Sequence, residues 1–337
     1  MKLITTDDLL RIIRREGLAE FLKLAGTALE QAFGRWQEFQ LSPRHAINYP
    51  HGVMELMPCA DQRYYACKYV NGHPGNTARG RLSVVALGLL AEVESGFPLL
   101  ISEMTLLTAV RTAATAALGA RYLARPDSHR LAMVGTGAQA EFQVQALRGV
   151  LPLRELRYFD IDRDAMAKFA RNLAGEELNL SAAGSIRAAI DGADVIVTAT
   201  ADKRRNRLLD AGMLGGGVHI HALGGDCPGK TELDPELLGH CKIVVEYLPQ
   251  SIVEGEIQNR PELPIHAELW ELVQDLKPGR ESAAEITLFD SVGFALEDYA
   301  MLRLVDELSQ RHGICHEVEL IPRPADPKDL YGLLRSP

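Results

Sequence analysis

A short apolar run that ends in two closely spaced glycines constrains this chain more than any other stretch. The run at residues 130–134 leads into Gly135 and Gly137, and Ala140 opens a segment of helix-forming residues. In a strand–turn–helix unit, Gly135 permits the sharp turn, Gly137 lets the backbone approach a pyrophosphate, and the small Ala140 allows close helix–strand packing. The pattern predicts a dinucleotide site with its phosphates at the N-terminus of the helix.

An acidic residue closes the next predicted strand, as this motif requires. Asp160 ends the segment 156–160, where it would accept hydrogen bonds from the adenosine ribose hydroxyls, which favours NAD over NADP. Asp162 is a second candidate for this role, and Arg163 keeps NADP open because its guanidinium could meet a 2′-phosphate. The alternative interpretation is that Asp160 only begins a turn.

Composition and charge exclude several classes of partner. The 337 residues are 47% hydrophobic and carry a net charge of -9, which is typical of a globular protein and unfavourable for binding nucleic acid or an anionic membrane surface. No apolar run approaches the roughly 20 residues of a membrane span, and no signal peptide is recognised, so a cytoplasmic location is expected. The five cysteines lack zinc-site spacing, so reduced thiols and no metal site are expected.

Hydrophobic periodicity predicts the order of helices and strands. Helices are predicted at 6–15 and 18–38, strands at 53–58, 64–70, 82–92 and 97–101, with the last two forming a hairpin, and an apolar helix at 102–124. Strands then alternate with helices, and the strands are predicted at 130–135, 155–160, 194–200, 217–224, 242–247 and 285–290. A last helix runs through residue 308, and 318–322 is predicted to be a strand returning to the first domain.

This order predicts an α/β fold with two domains. Near-continuous apolar strands such as 194–200 are typical of a buried parallel sheet. We therefore predict a Rossmann-type doubly wound dinucleotide-binding domain at 119–309. It is inserted into an α+β substrate-binding and dimerisation domain formed by 1–118 and 310–337.

Three charged residues occur in otherwise apolar segments. Glu55 and Lys68 lie in predicted strands, where alternation could place both on a solvated face. Arg111 is the only charged residue between Met104 and Ala120, in a helix apolar enough to be buried. A buried guanidinium needs a carboxylate partner, and here the partner is either an acid distant in sequence or a ligand.

A glycine-rich loop follows the strand predicted at 218–223. The loop runs from Gly224 to Lys230 and contains Asp226. At the carboxyl end of a parallel strand it lies where ligands bind in doubly wound folds. Asp226 is a candidate general acid or base, and Lys230 is a candidate contact to cofactor oxygens. The alternative interpretation is that this segment is an ordinary turn without a functional role.

Several segments together resemble the ornithine cyclodeaminase/mu-crystallin family, and the match spans nearly the whole chain, with its bacterial cyclodeaminases the most similar members. The segments are Arg44 with Glu55-Leu56-Met57-Pro58, Lys68 to Pro74, Asn76-Thr77-Ala78-Arg79, Arg111-Thr112-Ala113-Ala114-Thr115, Gly224 to Leu233, Val245-Glu246-Tyr247 and Phe289 to Asp298. The resemblance implies a homodimer, whose first domain supplies the dimer sheet and the substrate pocket, and a catalytic NAD that is reduced and reoxidised in each turnover.

The resemblance also implies roles for individual residues. Arg44, Lys68 and Arg111 would hold the substrate carboxylate, and Glu55 and Asp226 would be the catalytic residues near the amine groups. The cofactor would contact Ser83, Thr112, Gly135, Gly137, Ala138, Gln139, Asp160, Thr200, Lys230 and Ser291. Two departures from the family pattern are Ser83, where the family has Thr, and Thr136, where relatives often carry Asn.

The implied reaction is the NAD-dependent cyclising deamination of L-ornithine to L-proline and ammonia. Asp226 is the candidate general base, because the δ-amine must be neutral before it can attack the C2 imine. Lysine cyclodeamination is an alternative, since one more methylene changes pocket affinity by only about 1–3 kcal/mol. The resemblance is also compatible with ketimine reduction, with oxidative deamination of alanine, and with binding of a small ligand without turnover.

Overall fold

The first third of the chain forms a mixed sheet covered by helices. The computed structural model describes residues 1–201 and 205–335. Up to residue 123 the elements are β1 (Lys2–Ile4), α1 (Thr6–Glu16), α2 (Leu18–Gly34), β2 (Gln40–Leu41), β3 (His45–Tyr49), β4 (Gly52–Ala60), β5 (Tyr64–Gly72), β6 (Val84–Glu92), β7 (Pro98–Glu103) and α3 (Thr105–Leu123). The predicted hairpin forms between β6 and β7. The helix expected from residue 102 begins at Thr105, because residues 102 and 103 still pair in β7.

The middle of the chain forms a parallel sheet in the predicted Rossmann order. Its elements are β8 (Arg130–Val134), α4 (Ala140–Arg148), β9 (Glu155–Phe159), α5 (Arg163–Asn172), β10 (Asn179–Ala182), α6 (Ile186–Ile190), β11 (Val195–Thr198), β12 (Arg205–Leu209), β13 (His219–Ala222), β14 (Thr231–Leu233), α7 (Pro235–Leu238), β15 (Cys241–Val245), α8 (Leu248–Glu254), β16 (Ala267–Glu268), α9 (Leu269–Val273) and β17 (Ile286–Asp290). The sheet order is β10-β9-β8-β11-β13-β17-β15-β16, with β12 and β14 forming a separate two-stranded ribbon.

This strand order creates the ligand-binding edge of the sheet. The chain goes outward from β8 to β9 and β10, then returns to β11 on the other side of β8. Ligands bind at such a reversal, in the crevice outside the carboxyl ends of the strands. The α/β fold class with a Rossmann-type sheet is therefore confirmed.

The end of the chain returns to the first sheet. Helix α10 (Ala295–His312) packs against α2, β4, β5 and β6, and β18 (His316–Glu317) pairs with β1. The strand expected at 318–322 is not formed, and the return occurs just before it. Because α10 packs in the first domain, we propose that the inserted domain ends before Ala295 rather than at residue 309.

Helix α3 lies between the two sheets and connects them. It contacts α2 and β6 on one side and α4, β13 and β17 on the other. Fourteen of its nineteen residues are buried, and its many alanines allow a close approach to its neighbours. Within the described residues, no helix is both long and apolar enough to cross a membrane.

Two helical glycines provide a matched test of this packing. A Cβ at Gly119 of α3 would lie 2.7 Å from a ring carbon of the buried Phe289, whereas a Cβ at Gly26 of α2 would have no atom within 4 Å. Gly119→Ala should therefore destabilise the protein by about 1–3 kcal/mol through overpacking. Gly26→Ala should stabilise it by about 0.5–1 kcal/mol through helix propensity. Urea unfolding measures both changes, and equal effects of the two substitutions would contradict this packing.

Candidate active site

Most of the predicted site residues line a single cleft of about 260 Å³ between the two sheets. Those in its lining are Arg44, Glu55, Lys68, Ser83, Arg111, Thr112, Gln139, Asp226, Lys230 and Ser291. The first sheet and α3 provide one wall, and the loops at the carboxyl edge of the parallel sheet provide the other. The structure thus brings together residues that are distant in sequence.

The glycine turn after β8 reaches this cleft at Gln139, whereas Gly135 and Gly137 are not part of the cleft lining. Gly135 has a φ of 95°, and a Cβ there would lie 2.6 Å from the carbonyl oxygen of Ala199, so only glycine fits. A Cβ at Gly137 would have no atom within 4 Å, which leaves open space above the turn, and the neighbouring Ala138 is exposed. Helix α4 begins beside this space without a side-chain cap, so its first N–H groups can bind an anion.

Asp160 connects this turn to the end of β9. Its Oδ2 accepts hydrogen bonds from the Thr136 N–H at 2.6 Å and the Thr136 hydroxyl at 3.1 Å. Its Oδ1 accepts one from the Asp162 N–H at 3.0 Å. Asp162, the second candidate for the ribose, caps α5. Asp160 therefore shapes the turn, and its contact with a ribose stays a prediction.

Two buried cations lie against acids from the start of α10. Lys68 Nζ donates to Asp298 Oδ1 at 2.8 Å, and Arg111 Nη1 donates to Glu297 Oε2 at 2.7 Å. Arg111 Nε also lies 3.3 Å from Asp298 Oδ1. The missing partner of Arg111 is thus an acidic pair distant in sequence. Burial and the nearby Arg111 lower the pKa of Lys68 to about 8, although Asp298 opposes them.

A third cation, Arg44, is engaged on every edge of its guanidinium. Its Nη1 lies 3.2 and 3.3 Å from the carboxylate oxygens of Glu55, and its Nη2 donates to the carbonyls of Val292 and Gly293 at 2.6 and 2.7 Å. Its Nε lies 3.1 Å from Glu254 Oε2. Glu55 and Lys68 are only 6% and 1% exposed, so the solvated face that strand alternation allowed for them is excluded.

Asp226 is the acid of the cleft that is most open to a ligand. Its side chain is 51% exposed, and one carboxylate oxygen accepts a hydrogen bond from Lys230 Nζ at 3.0 Å. Lys230 is buried; burial alone would lower its pKa, but Asp226 and Glu232 raise it. An exposed carboxylate beside a fixed cation can accept a proton from a bound molecule or return one.

A series of buried carboxylates, which the sequence analysis missed, holds the loops of this edge. Asp290 accepts from the N–H groups of Glu256 and the next residue at 2.9 and 3.1 Å. Glu256 accepts from those of Glu232 and its neighbour at 2.8 and 2.9 Å. Glu232 in turn accepts from the Thr200 N–H at 2.7 Å and from the Thr200 hydroxyl. These carboxylates connect the end of β17 to the end of β11 through β14.

A further buried carboxylate, Glu246, does the same beside the cleft. It accepts hydrogen bonds from the Ser291 hydroxyl at 2.5 Å and from the N–H groups of Val292 and Gly293 at 2.9 and 2.7 Å. These bonds fix the segment whose carbonyls hold Arg44. Ser291, predicted at the cofactor, therefore lies at the cleft with its hydroxyl directed to Glu246.

The glycines of the loop after β13 make room for these acids. A Cβ at Gly224 would lie 2.0 Å from the carboxyl carbon of Glu232, and one at Gly225 would lie 2.6 Å from Glu256 Oε1. Burial raises the pKa of both acids, and it raises that of Asp290 to about 7. In the sequence, each of these acids lies in or beside a short apolar segment. The sequence does not show that these segments contact one another in the fold.

The pair of Lys68 and Asp298 allows a test of these buried charges. Asp298→Asn should destabilise the protein by about 3–5 kcal/mol, because it removes one partner of a buried pair. Loss of Asp298 should lower the pKa of Lys68 further below about 8. The free energies of unfolding of variant and wild type should therefore differ most at low pH, where Lys68 is charged in both proteins. The difference should become smaller as the pH rises past about 8, because Lys68 is then neutral in both folded proteins.

Urea unfolding on both sides of that pH measures the difference. Asp127→Asn is the matched control, because the Asp127 side chain is 83% exposed and its loss should change stability by less than about 0.5 kcal/mol. A loss in Asp298→Asn that does not change with pH would contradict the assignment of Lys68 as the titrating partner.

Comparison with known proteins agrees with this architecture. The sequence model of the ornithine cyclodeaminase/mu-crystallin family matches residues 8–312. An ornithine cyclodeaminase of Agrobacterium tumefaciens (strain Ach5) is 47% identical over 331 residues, which cover 98% of this chain and 93% of that protein.

Two solved structures share the whole fold. A lysine cyclodeaminase, described with recognition of L-lysine, L-ornithine and L-2,4-diaminobutyric acid, superposes with a TM-score of 0.93 and 30% identity over 99% of each chain. An archaeal alanine dehydrogenase dimer with bound NAD superposes with a TM-score of 0.87 and 33% identity, covering 95% of this chain and 99% of that one. The chain belongs to the ornithine cyclodeaminase/mu-crystallin family.

Proposed function

We propose that this chain is an NAD-dependent ornithine cyclodeaminase, which converts L-ornithine to L-proline and ammonia. One observation carries the proposal: a single cleft holds four buried cationic side chains, two acids and the end of a dinucleotide-binding turn. The 47% identity to a named ornithine cyclodeaminase over nearly the full chain supports the same substrate.

The residues around the glycine turn fit a dinucleotide. The turn is open above Gly137, the N-terminus of α4 has no side-chain cap, and the buried Gln139 Oε1 has no hydrogen-bond partner among the described residues. The residues that would hold the cofactor are Ser83, Thr112, Gly135, Gly137, Ala138, Gln139, Asp160, Thr200, Lys230 and Ser291. Bound NAD would supply reversible oxidation at the substrate α-carbon.

The cations bind the substrate carboxylate. Lys68 uses one of its three N–H donors on Asp298, which leaves two for a ligand. Arg111 lies beside it, while Arg44 reaches the cleft from the side of Glu55. Holding the carboxylate at Lys68 and Arg111 places the flexible chain of the substrate near its attacking geometry, which can contribute several kcal/mol to catalysis.

Asp226 removes the proton from the second amine. An amine attacks carbon only in its neutral form, so a base must take this proton before the ring closes. Asp226 faces the cleft and is exposed enough to reach a bound ligand. Glu55 lies on the opposite wall, where it binds the ammonium of the substrate in place of its present partner Arg44.

The length of the diamino acid distinguishes the two candidate substrates. The similar lysine cyclodeaminase recognises three diamino acids that differ in chain length, and one methylene changes affinity by only about 1–3 kcal/mol. Lysine is therefore the second candidate substrate. A ligand-binding protein without turnover would have no use for Asp226 beside Lys230 at the mouth of the cleft.

The outward face of the first sheet is the surface for a second copy of the chain. It exposes large apolar side chains on neighbouring strands, namely Ile47, Tyr49, Met54, Leu56, Tyr65, Val85 and Leu87. An apolar patch of this kind is typical of a protein interface. The similar alanine dehydrogenase is a dimer, and we propose a homodimer across this face.

The proposed reaction leaves no net change in the cofactor, which gives a direct test. Ornithine with less than one equivalent of NAD should yield proline and ammonia in large excess over NAD, without lasting NADH absorbance. Product analysis by chromatography measures both products. A panel with lysine, arginine and alanine under the same conditions tests the substrate.

Each competing function predicts a different outcome of that panel. Steady NADH accumulation would indicate a dehydrogenase instead. Pipecolate from lysine at a higher kcat/KM than proline from ornithine would assign the longer substrate. Tight binding of a diamino acid without turnover would support the ligand-binding protein and reject the proposal.

A further inference from the structure

Three acids act on the charge of Arg44. Besides Glu55 and Asp226, Glu254 at the end of α8 places Oε2 3.1 Å from Arg44 Nε, and its side chain is only 7% exposed. Glu254 does not line the cleft. It therefore acts on a bound molecule through Arg44 and through its charge.

Glu254 completes the fixation of Arg44. The carbonyls of Val292 and Gly293 accept hydrogen bonds from Nη2, and Glu254 Oε2 lies 3.1 Å from Nε as an ion pair without a hydrogen bond. Only Nη1 is directed to Glu55 and the cleft. A guanidinium with hydrogen bonds on one edge and an ion pair on a second keeps a defined orientation when its third edge changes partner.

The charges at this end of the cleft do not balance. Arg44 and Lys230 are positive, Glu55, Asp226 and Glu254 are negative, and the buried Glu232 also acts on Lys230. Removing the charge of Glu254 takes one negative charge from this end of the cleft. The attraction for the second ammonium of a diamino acid is then weaker.

We infer that Glu254 is a positioning residue that orients Arg44 and adds the negative charge by which this cleft prefers an amino acid with a second amine. The inference rests on the proposed function, because it requires a diamino acid as substrate. It assigns selectivity for the second amine to a residue that does not touch the substrate.

The titration of Glu254 gives the effect a pH dependence. Burial raises the pKa of Glu254 to about 7, with Arg44 opposing and Glu55 and Asp226 adding to the rise. The ionised form therefore increases as the pH rises through about 7. Because a nearby ammonium stabilises that form, affinity for a diamino acid should increase across the same pH range.

The test compares two ligands in Glu254→Gln, which keeps the shape and removes the charge. KM for ornithine should increase roughly tenfold or more above neutral pH, with kcat changed much less. The inhibition constant of L-norvaline, which has the same carbon chain but no second amine, should change by less than about twofold. The increase in ornithine affinity through neutral pH should disappear.

Two further variants separate the charge from a general effect on folding. Glu254→Asp keeps the charge and should restore most of the preference for ornithine over norvaline. Asp306→Asn is the matched control, because Asp306 is also a buried acid but pairs with Lys2 outside the cleft. It should leave the ligand preference and its pH dependence unchanged.

The outcomes for the two proposals are distinct. Thermal melting with NADH present, which cannot accept electrons from the substrate, reports binding of ornithine and norvaline without turnover. Wild-type protein that neither converts ornithine nor is stabilised by it would overturn the proposed function. Normal wild-type activity with an unchanged ornithine-to-norvaline preference and pH profile in Glu254→Gln would overturn the role of Glu254 alone.

Discussion

Buried carboxylates that accept backbone N–H groups hold together the sheet edge on which the cleft is built. Loops at the ends of parallel strands contain N–H groups without partners in the sheet, and burying them unpaired costs free energy. Asp290, Glu256 and Glu232 satisfy them in series, each binding the backbone of the next segment. Gly224 and Gly225 leave the space for two of these acids. The loop that positions Asp226 therefore packs directly on this series of carboxylates.

The buried cations of the cleft also need partners in the interior, and here the partners are carboxylates. Lys68 and Arg111 are stable in the interior because the first turn of α10 provides Glu297 and Asp298. That helix follows the last strand of the parallel sheet, so this end of the cleft, where we propose that the substrate carboxylate binds, forms only when α10 packs against the first third of the chain. Arg44, which directly precedes β3, contacts the Val292 carbonyl and Glu254 of the inserted domain. These contacts connect the two domains at the cleft.

Features that depend on local sequence were predictable, and features that depend on contacts between distant segments were not. The turn at Gly135 and the alternation of strands and helices follow from backbone requirements and periodicity within a few residues. The burial of Arg111 was visible in its apolar helix, but its partner Glu297 is 186 residues away. The linked acids and Glu254 were missed because their segments meet only in the fold, and the residue roles came from the family resemblance.

A single-turnover experiment with Asp226→Asn tests the central claim. The claim is that oxidation at the α-carbon does not need Asp226, whereas deprotonation of the second amine does. Asp226 pairs with Lys230, whereas Lys68 and Arg111 pair with acids of α10. The variant mixed with NAD and ornithine should therefore still bind NAD and form NADH in proportion to enzyme, while proline formation stops. Proline formed at the wild-type rate would contradict the account.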